Sequence, residues 1–250
     1  MPYGLYISAA GAHAQSQRVE VLSNNIANAQ TPGFKRELAV LQARYAEAIT
    51  EGEDYPGTRG VNNVGGGVFL KQTVTDFTAG PLKATGGRSD LAIEGEGFFL
   101  VEKNNQKLLT RAGNFSVSSD GRLMGPGNSQ VLTEDGNPVL IDPSTDWSFD
   151  SSGNLLQDGN STSLAIVKPR SLGDLAKAGE NLFLPLAPTT PIDPLTRKVV
   201  PGHVEMSASN PILEMTQLIE SSRAYEANIR MIQNHDQVLG ALVGRLIKAT

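Results

Sequence analysis

The side chains in this 250-residue sequence that could do chemistry are few and scattered. Its three histidines, His13, His203 and His235, lie far apart, and none forms the i, i+4 or His-x-x-His pair that aims two imidazoles at one metal. There is no cysteine, so thiolate nucleophiles, disulfides and cysteine-based zinc sites are excluded. Ser23 stands outside any G-x-S-x-G context, and no serine nucleophile is predicted. "NVGGGVF" and "ATGGRSD" are glycine-rich but lack both the Lys-Ser/Thr of a phosphate loop and the GxGxxG spacing, and they read as turns. The one constellation suited to acid–base work is Asp90, Glu94 and Glu96, the last set between Gly95 and Gly97 in "EGEGFF". Carboxylates two apart in a strand share a face, and nothing in the sequence raises a pKa there, so a solvated face is the simpler reading. The residues predict no catalytic group, no metal and no cofactor. The glycines of "EGEGFF" mark a bulge or a close backbone approach.

Composition narrows the partners. A net charge of −5, from 21 basic and 26 acidic residues, supplies no broad positive field for a phosphate backbone, which argues against nucleic acid. The 39% hydrophobic content suits a modest core, and 26 glycines with 14 prolines, spread without a period, suit many turns between short strands. No run approaches ~20 consecutive apolar residues, so no transmembrane segment is predicted. The first 17 residues contain no lysine or arginine, and His13, Gln15 and Gln17 break their apolar positions, so no cleavable secretory signal is expected.

The elements that must position these residues fall into three parts. Leu5, Ala12, Val19 and Ile26 recur every seven residues, with Leu22 and Ala29 three residues after Val19 and Ile26, which predicts a helix from about Gly4 to Ala27. It ends at "TPGF", where Pro32 disfavours a helical Thr31 and Pro32-Gly33 suits the centre of a type II turn before Phe34. At the other end Leu218, Tyr225, Ile232, Leu239 and Leu246 lie seven apart, interleaved with Met215, Ser222, Ile229, Asp236 and Val243. Asn210-Pro211 supplies an N-cap and a first-turn proline for a helix over 211–247, too long to bury itself alone. Between them, apolar runs such as "GVFLKQTV", "LAIEGEGFFLVE" and "LAIVK" alternate with turn pairs such as Asp120-Gly121, Asp135-Gly136 and Asp158-Gly159, which predicts an antiparallel meander. The expected class is α+β: long N- and C-terminal helices packed as a coiled-coil-like pair, with a central antiparallel β-rich domain. The expected divisions are 1–49 for the N-terminal helix and turn, 50–66 for a linker, 67–200 for the β domain and 201–250 for the C-terminal helix. Residues 185–202 also have linker composition.

"SNNIANAQTPGFKR" resembles the N-terminal signature of the bacterial flagellar rod and hook proteins, and "LIESSRAYEANIRMIQNHDQVL" resembles their C-terminal signature. "SDLAIEGEGFFLV" followed by "LTRAGNFSVSSDGRLM" is similar to the opening of the family's β domain. Length favours a proximal- or distal-rod subunit over the larger hook protein, and the opening "MPYGLYISAAGA" favours the proximal rod. One departure is "MSASNPILEM" in place of the usual lead into the last helix, which bears on the cap there.

The resemblance implies a structural subunit of the basal-body rod, a periplasm-spanning shaft that transmits torque for motility. Its partners would be its own copies, other rod proteins and the flagellar type III export apparatus. It also implies that the terminal helices form the inner tube and the β domain lies outside. The residues carried to that assembly interface are Leu5, Ala12, Val19, Leu22, Asn24, Asn25, Ile26 and Asn28 from the first block. From the last block they are Leu218, Arg223, Tyr225, Glu226, Ile229, Ile232, Leu239 and Leu246. Pro32, Gly33 and Phe34 are the turn that leaves the tube. Two rival readings are an extracellular β-rich binding module or adhesin with a coiled-coil oligomer, and a hydrolase using Asp90, Glu94 and Glu96.

Overall fold

The computed structural model describes residues 3–45, 47–52, 55, 65–194 and 196–248. Its contacts divide the chain into two compact units, each with its own packing. One gathers Met1–Ala27, Glu37–Asp76 and Asn210–Thr250; the other gathers Asn28–Arg36 and Phe77–Ser209.

The first unit is built on two helices, α1 (Tyr3–Ala27) and α3 (Pro211–Lys248), which pack along each other. The N-cap of α3 is Asn210, whose Oδ1 accepts from the Ile212 and Leu213 amides at 3.1 and 3.4 Å; Pro211 costs nothing at a position whose amide has no helical partner. A two-stranded antiparallel ribbon of β1 (Glu37–Ala43) and β2 (Val68–Thr75), with a short helix α2 (Glu47–Thr50) between, packs on α1. Strand β2 therefore joins the helical unit, whereas the sequence reading grouped it with the β body. The linker expected at 50–66 lies mostly outside the described residues.

The second unit is built of β-strands with two short 3-10 turns, Pro126–Asn128 and Leu172–Asp174. In chain order its strands are β3 (Leu82–Ala84), β4 (Leu91–Glu94), β5 (Phe98–Lys103), β6 (Gln106–Thr110), β7 (Ser116–Val117), β8 (Leu123–Met124) and β9 (Gln130–Val131). Then come β10 (Trp147–Phe149), β11 (Asn154–Gln157), β12 (Asn160–Ser163), β13 (Ile166–Pro169), β14 (Leu175–Gly179), β15 (Leu182–Pro185), β16 (Thr189–Pro191), β17 (Lys198–Pro201) and β18 (His203–Glu205). Every strand pairing among the described residues is antiparallel. Asp158 and Gly159 close the β11–β12 hairpin with φ of 49° and 76°, the paired positive angles that a right-twisted two-residue turn requires.

The order is not the simple meander expected. β5 pairs with β6 but also with the distant β9 and β13, because neighbouring residues on it feed two cores. Phe99 and Val101 enter the main cluster with Phe115, Ile141 and Ile166, while Phe98 enters a second with Leu109, Val167 and Phe183. The same split divides Leu108 from Leu109, Ile166 from Val167 and Leu182 from Phe183, the period of two expected of strands buried on both faces. Residues 185–202 are a correction to the sequence reading: they contain β16 and β17, and buried Val199 pairs with Ile93 in β4. With β18 on β3, the strands entering and leaving the unit run side by side.

Phe99 is fully buried with its ring edge-on to Phe115 at 5.0 Å between centroids. Phe99→Ala is expected to cost about 3–5 kcal/mol of β-unit stability. Leu140→Ala, at a side chain facing solvent, is expected to stay within about 0.5 kcal/mol. Denaturant midpoints of the two variants check the pair.

Candidate assembly interface

The turn that interrupts the N-terminal block is a plug in the β unit. The Thr31 carbonyl accepts from the Phe34 amide at 3.3 Å across Pro32-Gly33, with Gly33 at φ +67°. Glycine is required there twice over, since a Cβ would also lie 2.2 Å from the Ala112 nitrogen. The Gly33 amide donates to the Glu205 carbonyl at 2.7 Å, Asn181 donates to the Pro32 carbonyl at 3.1 Å, and buried Phe34 lies under the Lys177 ammonium.

Beside this plug are three buried charges from distant parts of the chain. Lys35 Nζ meets Glu205 Oε1 at 2.6 Å, and Arg111 meets Glu205 Oε2 at 3.2 Å. Lys35 also donates to the Thr78 carbonyl, Arg111 to the carbonyls of Ile93 and Gly95, and the Gly80 amide donates to Glu205. Burial lowers the Arg111 pKa, and Glu205 acts in the opposite direction. The sequence reading missed this triad. The basic pair of "TPGFKR" was its only visible sign, and Arg111 and Glu205 had none.

In the helical unit the two helices run antiparallel in a strict register. Gly4 faces His235, Gly11 faces Asn228 and Asn25 faces Glu214, so each step of seven along α1 is a step of seven back along α3. A Cβ on Gly4 or Gly11 would lie 3.0 or 2.9 Å from those side chains. Two helical glycines cost about 1 kcal/mol each against alanine, and here they permit close approach. Asn25 is fully buried. Its amide donates to the Glu37 carbonyl at 2.8 Å and to Glu214 at 3.3 Å, and its Oδ1 accepts from the Glu37 amide at 2.9 Å.

Small and polar residues thus meet between the helices at Gly4, Gly11 and Asn25 against His235, Asn228 and Glu214, and Ser8 and Ser221 are buried as well. The apolar heptads singled out in the sequence divide by burial. Ala12 and Leu22 are buried, while Leu5, Val19, Ile26, Leu218, Ile229 and Ile232 are half-buried. Tyr225, Leu239, Arg223, Glu226 and Asn24 are exposed, Asn28 is half-buried, and the Leu246 side chain lies outside the described residues. The most open apolar groups on α3 lie at the edge of that heptad or off it: Ile212, Met215 and Ile219 near the helix start and Met231, Val238, Leu242 and Val243 further on. The sequence reading places Met215, Ile219, Val238, Leu242 and Val243 there, but not Ile212 or Met231.

The carboxylates considered for acid–base chemistry are placed otherwise. Glu96 pairs with Lys168, and that contact lowers its pKa, opposite to what a general acid needs. Asp90 accepts from the Thr85 hydroxyl. Gly97 does mark a close approach, with Ile192 2.7 Å from where its Cβ would be. Among the described residues no group of three or more His, Asp or Glu could hold a metal, and no helix is long and apolar enough to cross a membrane.

By its paired terminal helices, outward apolar side chains and inserted β unit, the chain is of the structural-subunit class. Comparison with known sequences agrees. Residues 5–35 match the flagella basal body rod protein family, residues 92–167 the flagellar hook protein FlgE/F/G D1 domain, and residues 200–245 the flagellar basal body rod FlgEFG protein C-terminal family. The chain is 30% identical to the flagellar basal-body rod protein FlgF of Caulobacter vibrioides over 250 residues, covering 99% of both chains. It is 32% identical to FlgG of the same organism over 256 residues, covering 95% of this chain and 97% of the relative. Against the flagellar hook protein FlgE of Treponema pallidum it is 33% identical over 131 residues, covering 51% of this chain and 28% of the hook protein. The chain belongs to the flagellar basal-body rod protein family. It is a structural subunit of the rod, located in the flagellar basal body, and its end-to-end match to FlgF meets the expectation of a rod subunit rather than a hook protein.

Two variants test the buried triad by their order. Glu205→Gln removes the carboxylate that Lys35 and Arg111 share and is expected to cost about 3–5 kcal/mol. Lys35→Met leaves the Arg111–Glu205 pair intact and should cost less; equal losses in thermal melts would refute the charge argument. In the helical unit, Asn25→Ala removes the bonds to the Glu37 carbonyl and amide and to Glu214, at about 1–3 kcal/mol for a buried group that loses its partner. Helical circular dichroism should melt earlier while the β-unit transition stays in place.

Proposed function

We propose that the subunit lies in the proximal part of the rod, where the shaft spans the periplasm and transmits torque. It would arrive through the flagellum's own type III export apparatus and polymerise through the outward faces of α1 and α3. The observation that carries this reading is the division on α3: Glu214, Asn228 and His235 meet α1, whereas Ile212, Met215, Ile219, Val238 and Leu242 face solvent. Ile219 is 51% exposed and Val238 58% exposed on a helix whose buried positions include a glutamate and a serine. A monomeric protein gains nothing from that arrangement, whereas a polymer covers the outer stripe with another chain.

The length of α3 supports the same reading. Since Gly4 faces His235, the last ten or so residues of α3, roughly 15 Å of helix, pass beyond the start of α1. This overhang bears exposed Leu239, Leu242 and Val243. It also bears Gly240 and Gly244, where an added Cβ would meet nothing within 4 Å. On α1 glycines of this kind admit a neighbouring helix, and on the overhang the helix admitted would come from another subunit. Leu5, Val19, Ile26, Leu218, Arg223, Tyr225, Glu226, Ile229, Ile232 and Leu239 border or continue this surface. Asn25, Ala12 and Leu22 serve the subunit's own helix pair. The reading includes no catalytic step, cofactor or nucleic acid.

Because Ile219 is exposed in the single chain, Ile219→Asp should leave both thermal transitions unchanged. In a polymer every subunit would bury the new charge, at a cost of several kcal/mol per contact. Cells carrying it should export the protein yet lack it in purified basal bodies, and should not swim. Normal incorporation and motility would sink the proposed surface.

A further inference from the structure

We propose that a basic groove in the β unit binds an acidic, leucine-bearing face of a second copy of this chain, so that β units of successive subunits meet head to tail. The proposal rests on the rod-subunit reading above. The groove, about 370 Å³, lies between the Gly95–Gly97 corner and the segment from Pro169 to Leu172. Its walls include the buried guanidinium of Arg111. Lys35 stands behind it as a second buried cation, on the other oxygen of Glu205. Lys168 and Arg170 add two cations, and Phe77 and Leu172 add apolar wall. Glu96 pairs with Lys168 from a corner whose flanking glycines have φ of 101° and 126°. The chain's own exposed carboxylate thus already samples the chemistry that the groove accepts.

The complementary face is on the same unit. Leu140, 64% exposed, is followed two residues on by exposed Asp142; Leu156, 41% exposed, is followed two residues on by exposed Asp158. Gln157 ties the two segments together, donating to the Asp142 carbonyl at 2.7 Å and accepting from its amide at 3.2 Å. Leucines with carboxylates fit an apolar wall with cations, and a net charge of −5 leaves each copy with acid to spare. Groove and face are different surfaces of one chain, so their contact is heterologous and repeats without closing, as a rod requires.

The absence of cysteine makes the test direct. Full-length Arg170→Cys and Asp142→Cys are co-expressed, basal bodies are purified, and a short bismaleimide cross-linker is added. A dimer band is expected from the co-expressed pair and none from either variant alone. Dimers from a single variant, a band joining Arg170→Cys to a different protein, or no dimer while the chain is present in basal bodies would each overturn the proposal. Absence of the chain from basal bodies would instead overturn the rod reading. As a second measurement, Arg170→Glu should lower incorporation about tenfold, and adding Asp142→Arg to the same chain should restore it. A double variant as defective as the single one refutes the pairing.

Discussion

Glu205 is the constraint on which the β unit depends. Its carboxylate is buried between Lys35, 170 positions earlier in the chain, and Arg111, 94 positions earlier. Its backbone carbonyl holds the Gly33 amide, and its strand β18 pairs with β3. One residue therefore binds the turn after the first helix, the middle of the sheet and the strand that leaves the unit. Buried ion pairs add little net stability against an apolar replacement, because desolvation offsets the Coulomb gain. What they enforce is a single arrangement, since any other leaves a charge uncompensated in a medium of low dielectric. For an inserted domain whose entry and exit lie far apart in sequence, that specificity closes the structure.

The helical unit solves a different problem with the same means. Its helices must recognise each other within a chain and still keep apolar surface for other chains. An apolar seam would do the first at the expense of the second. Direction and register are fixed instead by Gly4 against His235, Gly11 against Asn228 and a buried Asn25–Glu214 contact, through shape and hydrogen bonding. Ile212, Met215, Ile219, Val238 and Leu242 are left facing outward. A helix pair of this kind is modestly stable alone and strengthened by whatever covers its apolar side.

The β unit carries its charge unevenly for a chain that is acidic overall. Lys35, Arg111, Lys168 and Arg170 lie in or behind one region, whereas Asp142 and Asp158 stand on another surface beside exposed leucines. Long-range repulsion between identical acidic subunits opposes polymerisation, and local complementarity of this sort counters it while fixing which surfaces meet.

Local signals in the sequence determined the elements. The heptads, the Asn210-Pro211 cap, the Pro32-Gly33 turn and the Asp-Gly hairpin mark were legible because each depends on a few adjacent residues and on backbone sterics. The three family signatures were legible for the same reason, as was the α+β class. Tertiary structure alone decided the rest. Which stripe of α1 meets α3 was hidden, because an apolar heptad reads as a seam whichever chain it faces, and glycines and polar residues look like weaknesses until a partner helix stands against them. The incorporation of 185–202 into the sheet was hidden by its proline- and threonine-rich composition, since strand pairing rewards a segment by its neighbours rather than its propensity. The Lys35–Glu205–Arg111 triad left no pattern because charge pairing at long sequence separation has no period, and only folding brings those three side chains within reach of one another.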